Sequence, residues 1–252
     1  MKSEPLILVT NDDGVRAPEL AVLAQVLAAV GDVYVYAPES QQSAVGHGVS
    51  LHRPLRITPV AERWFMVDGT PTDCVMLAVR GHLPRRPDLV VSGVNPGPNL
   101  GDDVTYSGTV AGAYEGMLLG LPSFAVSCVS PKPHHAESAA QFAARLARCL
   151  LEEGLPADTV LNVNVPDLPY EQLQGVAVTR MGRRNYQDEI ITRVDPRGGT
   201  YYWIGGADPT HFHEEGTDFD AIERRCVSVT PLHRDMTNYA ALPPLEKAGL
   251  SL

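Results

Sequence analysis

Residues 6–38 read LILVTNDDGVRAPELAVLAQVLAAVGDVYVYAP, and this stretch decides the predicted fold. It opens on a short apolar run, residues 6–10, which is typical of a strand buried on both faces. Pro18 then opens a run with apolar residues at helical spacing, which predicts a helix over residues 19–30. Residues 32–36 predict the next strand, so the stretch forms a strand–helix–strand unit of the kind that builds a parallel sheet.

The same alternation continues over roughly the first two-thirds of the chain. Further strands are predicted over residues 88–92, 123–129 and 159–165. Further helices are predicted over residues 71–79, 110–119 and 137–152. Strands that alternate with helices indicate a doubly wound, Rossmann-like α/β fold with a mainly parallel sheet.

After about Pro166 the pattern changes to short β-like runs separated by glycine and proline. These runs cover residues 176–180, 190–194 and 200–204, and Gly198-Gly199 between the last two predicts a hairpin. A short helix is predicted over residues 218–225 and a strand over residues 227–230. The sequence therefore predicts a β-rich C-terminal extension.

We expect one domain over residues 1–252. Its α/β core, residues 1–170, is expected to carry the functional site. Its β-rich region, residues 171–252, is expected to serve oligomerisation.

Charge and composition exclude several classes of protein. The formal net charge is −10, and a surface that negative repels DNA, RNA and anionic lipid, so we expect no polymeric nucleic acid as a partner. No apolar run approaches the ~20 residues that span a bilayer, and the N-terminal run is too short for a signal peptide. We therefore expect a cytoplasmic protein without membrane association. The cysteines lie far apart in apolar runs and are interpreted as buried thiols: Cys74, Cys128, Cys149 and Cys226.

A pair of acids follows the first strand, within residues 10–14 (TNDDG). Ligands of open α/β sheets bind at the carboxyl ends of strands, where these residues fall. Asp12 and Asp13 repel each other there unless a cation or a proton neutralises them. A polar turn is the alternative, because Asn, Asp and Gly are common turn residues. The position at the end of a buried strand favours a metal site.

Two further loops are predicted at the same edge of the sheet. Residues 41–48 (QQSAVGHG) follow the second strand, where Ser43 could ligate a hard cation and His47 could contact phosphate or act as an acid. An ordinary flexible loop is the alternative for this segment. Residues 92–110 (SGVNPGPNLGDDVTYSGTV) form a stretch long enough to indicate a functional loop.

The end of that long stretch is suited to an anion. Ser107, Gly108 and Thr109 fall where the next helix begins, so their N–H groups and the helix dipole would point at a phosphate. For Ser107, a role as helix N-cap is the alternative. The three loops together offer carboxylate, amide and hydroxyl oxygens, a set that suits Mg²⁺ or Mn²⁺ better than zinc.

Competing motifs are absent from the sequence. There is no GxGxxG after the first strand, no Walker A motif, no GxSxG and no HExxH. The adjacent acids also differ from the DxD spacing of aspartyl-phosphate phosphatases. His211 and His213 could face one way on a strand, but no third ligand is visible in the sequence, so we interpret them as surface or structural residues.

Several segments, taken in order, resemble the SurE family of survival-protein nucleotidases. The resemblance covers most of the chain, and the long glycine-rich stretch is its most specific part. The matching segments are TNDDG (10–14), QSAVGHG (42–48), VDGTPTDCV (67–75), SGVN…SGTV (92–110) and GTDFDAIERRCVSVTPL (216–232).

The resemblance implies a phosphomonoesterase, of the 5′-nucleotidase type, that hydrolyses nucleoside 5′- and 3′-monophosphates with one Mn²⁺ or Mg²⁺ per subunit. It also implies a homodimer or homotetramer assembled through the C-terminal region. The family's metal ligands fall on Asp12, Asp13, Ser43 and Asn95. Its substrate and phosphate contacts fall on Asn11, Asn99, Ser107, Gly108 and Thr109, and Asn11 also lies beside the metal pair.

Our mechanistic hypothesis is attack of a metal-activated water on phosphorus, with Asp12 or Asp13 as the catalytic base and His47 as a candidate acid. Two alternatives stay open at this point. One is an exopolyphosphatase or other phosphoanhydride hydrolase that uses the same site. The other is a nucleotide-binding or stress-interaction module without catalysis.

Overall fold

A computed structural model of the chain describes residues 4–186, 188–206 and 210–249. The strands are β1 (Leu6–Thr10), β2 (Asp32–Pro38), β3 (Ile57–Ala61), β4 (Trp64–Val67), β5 (Leu89–Pro96), β6 (Ser123–Val129), β7 (Thr159–Pro166), β8 (Val176–Val178), β9 (Arg184–Asn185), β10 (Asp188–Val194), β11 (Thr200–Gly206), β12 (Thr210–His211) and β13 (Val227–His233). The α-helices are α1 (Pro18–Leu27), α2 (Pro71–Leu77), α3 (Gly108–Leu118), α4 (Ala136–Glu153), α5 (Asp218–Glu223) and α6 (Leu242–Lys247).

The central sheet has nine strands in the order β3-β4-β2-β1-β5-β6-β7-β13-β8. The six strands from β4 to β7 run parallel, while β3 pairs antiparallel with β4 and β13 pairs antiparallel with β7. Helices α1 and α4 pack together on one side of the sheet, and α2 and α3 pack together on the other. The predicted doubly wound, mainly parallel α/β fold is confirmed.

Strand β1 shows why this sequence needs helices on both faces of the sheet. All five of its residues are buried. Because side chains alternate along a strand, Ile7 and Val9 enter the core beneath α1 and α4, while Leu8 enters the core beneath α2. Helix α1 covers its side with Leu20, Leu23 and Leu27, none of which is exposed to solvent.

Several predicted element ends differ from the structure, among them those of α1 and β5. Helix α1 ends at Leu27, three residues before the predicted end at residue 30. Strand β5 continues to Pro96, beyond the predicted end at residue 92, and its register with β6 shifts between Ser92 and Asn95. Gly93 permits this irregularity because its φ of 136° is readily accessible only to glycine.

The β-rich C-terminal extension is confirmed, and part of it joins the central sheet. Strands β8 and β13 form one edge of that sheet. Strands β10 and β11 form a separate antiparallel hairpin, closed where the Asp195 N–H donates to the Gly199 carbonyl at 2.8 Å. Strands β9 and β12 pair in a second small antiparallel sheet.

Helix α4 is amphipathic, and its polar face explains one wrong prediction. Cys149 lies exposed on that face beside Arg148, whereas Cys74, Cys128 and Cys226 are buried as expected. The interpretation of four buried thiols is therefore wrong for Cys149. Across the described ranges, none of the helices combines the length and the apolar character that a membrane crossing requires.

Candidate metal and phosphate site

The candidate site lies where the direction of the sheet order reverses. Strand β1 sits between β2 and β5, so the chain builds the sheet first to one side of β1 and then to the other. The loops that follow β1, β2 and β5 leave the same edge because these strands run parallel. Such a switch point is the usual place for a ligand in open α/β sheets.

Asp12 is buried and is fixed by contacts with helix α3. It is only 6% exposed, and its Oδ1 accepts a short hydrogen bond from the Thr109 hydroxyl at the start of α3. The backbone of α3 also packs against it, since a Cβ added at Gly108 would lie 2.8 Å from the Asp12 Cβ. The first turn of α3 therefore directs its positive dipole end at this carboxylate.

Asp13 is the least satisfied side chain of the site. Its Oδ2 is buried and has no hydrogen-bond partner within the described part of the chain. Burial, then the charge of Asp12, then that of Glu19 raise the pKa of Asp13 to about 7. Burial also raises the pKa of Asp12, although the hydrogen bond from Thr109 opposes the shift. A buried acid beside a half-buried one that keeps a free oxygen atom fits a hard divalent cation, whose charge would offset both negative charges.

Asn11 shapes the turn that presents the two acids. It is fully buried, and its Oδ1 accepts from the Gly14 N–H while its Nδ2 donates to the Gly14 carbonyl, both at 3.2 Å. Gly14 has a φ of 102°, which only glycine adopts readily. Both polar atoms of the Asn11 amide are thus used within the turn, which gives this residue a part in orienting Asp12 and Asp13.

The loop over residues 41–48 is tied to the site at two points. The Gln42 N–H donates to the Asp12 carbonyl at 2.7 Å, and the Gly46 N–H donates to the Tyr106 carbonyl at 3.0 Å. Ser43 follows directly after the first of these contacts. Its side chain is exposed, and its hydroxyl accepts from Gln41 Nε2 at 2.9 Å. The structure therefore brings Ser43 to the rim of the site rather than into the buried pair.

Asn95 lies at the end of β5 with its amide nitrogen in use. Its Nδ2 donates to the Gly97 carbonyl at 2.8 Å. That contact turns the amide so that Oδ1 remains as the atom with which Asn95 could bind a cation.

Asn99 is held by a buried polar network. Its Nδ2 donates to the Ser127 hydroxyl at 2.9 Å, and its N–H donates to Asn164 Oδ1 at 2.8 Å. Its carbonyl accepts from the amides of Asn162 at 2.8 Å and Asn164 at 2.9 Å. Our sequence reasoning missed these three partners. The signal was present in β7, where two asparagines at alternate positions interrupt an otherwise apolar, buried strand.

Helix α3 supplies the remaining predicted phosphate contacts. Ser107 is its N-cap, because the Ser107 hydroxyl accepts from the Val110 N–H at 3.1 Å. Gly108 and Thr109 form its first turn and both contact Asp12, as described above. The N–H groups of such a turn have no partner inside the helix, and this makes it a place where an anion can bind.

His47 is fixed by α3 as well. Its Nε2 lies 3.0 Å from Glu115 Oε2, and Glu115 is only 4% exposed. The His47 ring also meets the Tyr114 ring edge to face, with centroids 5.4 Å apart. Glu115 was not among the predicted site residues, because 68 positions separate it from His47 in sequence.

The second adjacent acid pair, Asp102 and Asp103, has a different environment. Asp102 Oδ2 accepts from the Arg184 N–H at 2.8 Å, and Arg184 forms an ion pair with Asp103 at 2.6 Å. Tyr186 donates to Asp103 at 2.7 Å. These acids therefore dock the C-terminal region onto the long loop and differ from Asp13, whose Oδ2 has no partner in the described part of the chain.

A cavity of about 740 Å³ opens beside the start of α3. Ser107 and Tyr114 of the α3 segment line one side of it, and His47 lines its rim. Arg180 and Met236 of the C-terminal region also line it. The cavity thus connects the predicted phosphate contacts with a larger space between the core and the C-terminal region.

The chain is similar to proteins of one family. A family model described as "Survival protein SurE" matches residues 7–188. The chain is 56% identical to the 5′-nucleotidase SurE of Geobacter sulfurreducens, over 97% of this chain and 94% of that protein. It is 53% identical to the 5′-nucleotidase SurE of Geotalea uraniireducens, over 97% of this chain and 99% of that protein.

A solved structure agrees with these sequence matches. The crystal structure of the SurE protein from Aquifex aeolicus is 42% identical and superposes with a TM-score of 0.86, covering 98% of this chain and all of that one. A likeness at this level extends to the C-terminal region as well as to the α/β core. The chain therefore belongs to the SurE family.

Proposed function

We propose that this protein is a divalent-metal-dependent nucleotidase that hydrolyses nucleoside 5′-monophosphates, and 3′-monophosphates as well, to nucleoside and phosphate. The observation that carries the proposal is the acid pair: buried Asp12 meets the first turn of α3, and half-buried Asp13 has a carboxylate oxygen without a partner among the described residues. The relatives that carry the name 5′-nucleotidase support the substrate class.

One Mn²⁺ or Mg²⁺ ion per subunit would be held by Asp12, Asp13, Asn95 and Ser43, all of them oxygen ligands. When bound, such an ion polarises a phosphoryl oxygen and acidifies water. Asp12 and Asn95 are already oriented by the contacts described above, whereas Asp13 keeps its Oδ2 without a partner in the described part of the chain. Ser43 is exposed, and its hydroxyl would rotate away from Gln41 to bind the ion.

The substrate phosphate is proposed to bind at the start of α3. There the first-turn N–H groups of Gly108 and Thr109 and the capping hydroxyl of Ser107 face the acid pair. Asn99, held by its buried polar network, would contact the same phosphoryl group from the β5 side. This arrangement places the positive ends of N–H dipoles around the phosphoryl oxygens, which gain negative charge as phosphorus is attacked.

Asp13 is the better placed of the two acids to accept the proton of the attacking water. Its Oδ2 has no partner in the described part of the chain, whereas Asp12 Oδ1 accepts from Thr109. His47, held by Glu115 at the rim of the cavity, is the proposed donor of a proton to the leaving oxygen.

The nucleoside is proposed to occupy the cavity of about 740 Å³ next to Ser107. That volume falls within the range of pockets that bind small molecules. Tyr114 and Met236 provide aromatic and apolar surface for a base. A polymer is disfavoured as substrate because the net charge of −10 repels it.

The proposal is tested by measuring phosphate release from AMP, 3′-AMP and tripolyphosphate, each with Mn²⁺, Mg²⁺ or EDTA. We expect turnover of both monophosphates that depends on the divalent ion, and a loss of at least about a hundredfold in Asp12→Asn. Asp158→Asn, which changes an exposed carboxylate paired with Arg234, is the matched control and should keep wild-type rates. Near-normal turnover in Asp12→Asn, or hydrolysis of tripolyphosphate alone, would overturn the proposal.

We also propose that the protein forms a homodimer or homotetramer through the β10–β11 hairpin. This hairpin exposes several large apolar side chains, an arrangement that marks interaction surfaces in proteins. The exposed residues are Ile190, Val194, Tyr201, Tyr202, Trp203 and Ile204.

A further inference from the structure

A cluster of potential metal ligands lies in the C-terminal region, in addition to the acid pair described above. His211 ends β12, His213 follows two residues later, and Glu223 ends α5. His211 Nε2 lies 2.8 Å from Glu223 Oε1, and His213 Nδ1 lies 3.1 Å from the same oxygen. One ligand atom from each residue falls within 4.8 Å of the others.

We propose that His211, His213 and Glu223 form a second metal site, which binds Zn²⁺ or a similar borderline-soft divalent ion. Two imidazoles and one carboxylate, with water as the fourth ligand, are a known zinc donor set. Donor atoms at zinc-binding distance around a tetrahedral ion lie about 3.4 Å apart. The two histidine–carboxylate separations are close to that value and the two histidine nitrogens lie within 4.8 Å of each other, so side-chain rotations would admit an ion.

Two of the three ligands sit on elements that are already fixed. His211 stacks on the Phe219 ring with centroids 4.3 Å apart and planes 5° from parallel, and Phe219 is only 4% exposed. Strand β12 pairs with β9, where His211 lies opposite Arg184. Glu223 is carried by α5, which Thr217 caps. His213 is the most exposed of the three, with 77% of its side chain accessible, and Glu223 is exposed as well, at 47%.

The two sites would differ in the metals that they prefer. The acid-pair site offers oxygen atoms only, which suits Mg²⁺ or Mn²⁺. The histidine site offers two nitrogens and one oxygen, which suits Zn²⁺. The two donor sets therefore favour different ions, a hard ion at the acid pair and a softer ion at the histidine site.

The position of the histidine site indicates a structural role. An ion there would join β12 to α5, and α5 begins at Asp218, whose carboxylate accepts from the N–H groups of Gly101 and Gly182 at 2.8 Å each. Strand β9, the partner of β12, is docked on Asp102 and Asp103 through Arg184. The ion would thus stabilise the attachment of the C-terminal region to the long loop that follows β5.

The test is zinc binding in the Asp12→Asn/Asp13→Asn variant, which lacks the acid-pair site and isolates the histidine site. Zn²⁺ is titrated against a coloured chelator at pH 7, and its effect on the melting temperature is recorded. Co²⁺ replaces zinc to give a visible spectrum that reports four-coordination. We expect one ion per chain and a higher melting temperature with zinc.

Two further variants in that background assign the ligands. His213→Ala and Glu223→Gln should each weaken zinc binding by at least about tenfold, and His213→Ala should fold because its side chain is exposed. His52→Ala, which changes an exposed histidine far away in sequence, is the control and should bind zinc unchanged. Absence of zinc binding in the double variant, or binding that His213→Ala leaves intact, would show an ordinary cluster of ion pairs and overturn the inference.

Discussion

Asp12 and Asp13 are adjacent acids at the end of a fully buried strand, and burial makes their negative charges costly. The local structure lowers this cost only in part. Thr109 donates to Asp12, but one oxygen of Asp13 is left without a partner in the described part of the chain. A bound cation would offset the remaining cost, as the proposed function requires.

The pKa of Asp13 predicts how the stability of the metal-free protein depends on pH. Its value of about 7 exceeds the ordinary 3.8, so the folded protein binds this proton more tightly than the unfolded chain does. That stabilising contribution is complete below about pH 3.8 and is lost as the pH rises through about 7. In EDTA, the melting temperature of Asp13→Asn should therefore rise relative to wild type between pH 5 and pH 8. Added Mn²⁺ should reverse the order at pH 8, and parallel curves in EDTA would contradict the prediction.

Thr109 predicts a separate effect on metal affinity. Thr109→Val keeps the shape of the side chain but removes the hydroxyl that donates to Asp12, so Asp12 loses its orientation. The Mn²⁺ concentration for half-maximal AMP hydrolysis should rise about 10–100-fold. Thr109→Ser retains the hydroxyl and should stay near wild type. Equal Mn²⁺ requirements for the valine variant and wild type would remove Thr109 from the site.

Site residues could be predicted from the sequence where the pattern that marks them is local. They were missed where their partners lie far away along the chain. Asp12 and Asp13 were predicted because a buried strand and a polar turn are local patterns. The partners of Asn99, such as Asn164, lie 65 positions away, and only the fold brings them together. For Ser107 the sequence predicted a phosphate contact or a helix N-cap, and the structure shows the capping contact. This contact could be predicted because its partner, Val110, is only three residues away.

At the scale of elements, α3 can approach the sheet closely because it carries glycine at every fourth position. Gly108 contacts Asp12, and a Cβ at Gly112 would lie 2.9 Å from Thr10 Cγ2. A Cβ at Gly116 would lie 2.9 Å from the Val90 Cβ. The glycine stripe therefore sets the distance between the first turn of α3 and the acid pair.

Gly116→Ala tests this close packing away from the chemistry. Alanine ordinarily stabilises a helix interior relative to glycine by roughly 0.5–1 kcal/mol. Here the added methyl meets the Ser123 hydroxyl and the Val90 side chain, so we expect destabilisation of about 1–3 kcal/mol in urea unfolding. Gly81→Ala is the control, because no heavy atom lies within 4 Å of the added carbon. A stabilised Gly116→Ala variant would show that the contact has room to relax.

Helices and strands with a clear pattern of apolar residues were predicted well. The strands at the irregular edge of the central sheet were not. Strand β1 was predicted with its true ends, and the β10–β11 hairpin was predicted from its two glycines. Strands β3 and β4 were missed. Strand β3 is mostly exposed at the sheet edge and contains Pro59, so it shows neither buried nor alternating apolar character.

At the scale of the whole molecule, the C-terminal region is attached to the core by buried polar contacts. Asp218 is fully buried and links Gly101 of the long loop with Gly182 of the C-terminal region. Arg184 adds its ion pair with Asp103. The sequence indicated the β-rich character of this region, but pairings across more than 80 positions depend on the tertiary fold.

The exposed hairpin predicts the behaviour of the protein in solution. Ile204 is 80% exposed, so Ile204→Glu should leave each subunit folded but place a charge in the proposed interface. Light scattering on eluted fractions should show a smaller mass than the wild-type dimer or tetramer. Leu51→Glu, at a position 79% exposed in another part of the chain, should leave the mass unchanged. A monomeric wild type at micromolar concentration would contradict the proposal.

The central claim is that Asp12 and Asp13 bind one divalent cation at the end of β1. Crystals soaked in Mn²⁺ and measured at a wavelength where manganese scatters anomalously test it most directly. The account predicts an anomalous peak within bonding distance of both carboxylates, with Asn95 and Ser43 as further ligands. No peak at that position, with the two carboxylates turned to protein hydrogen bonds instead, would contradict it.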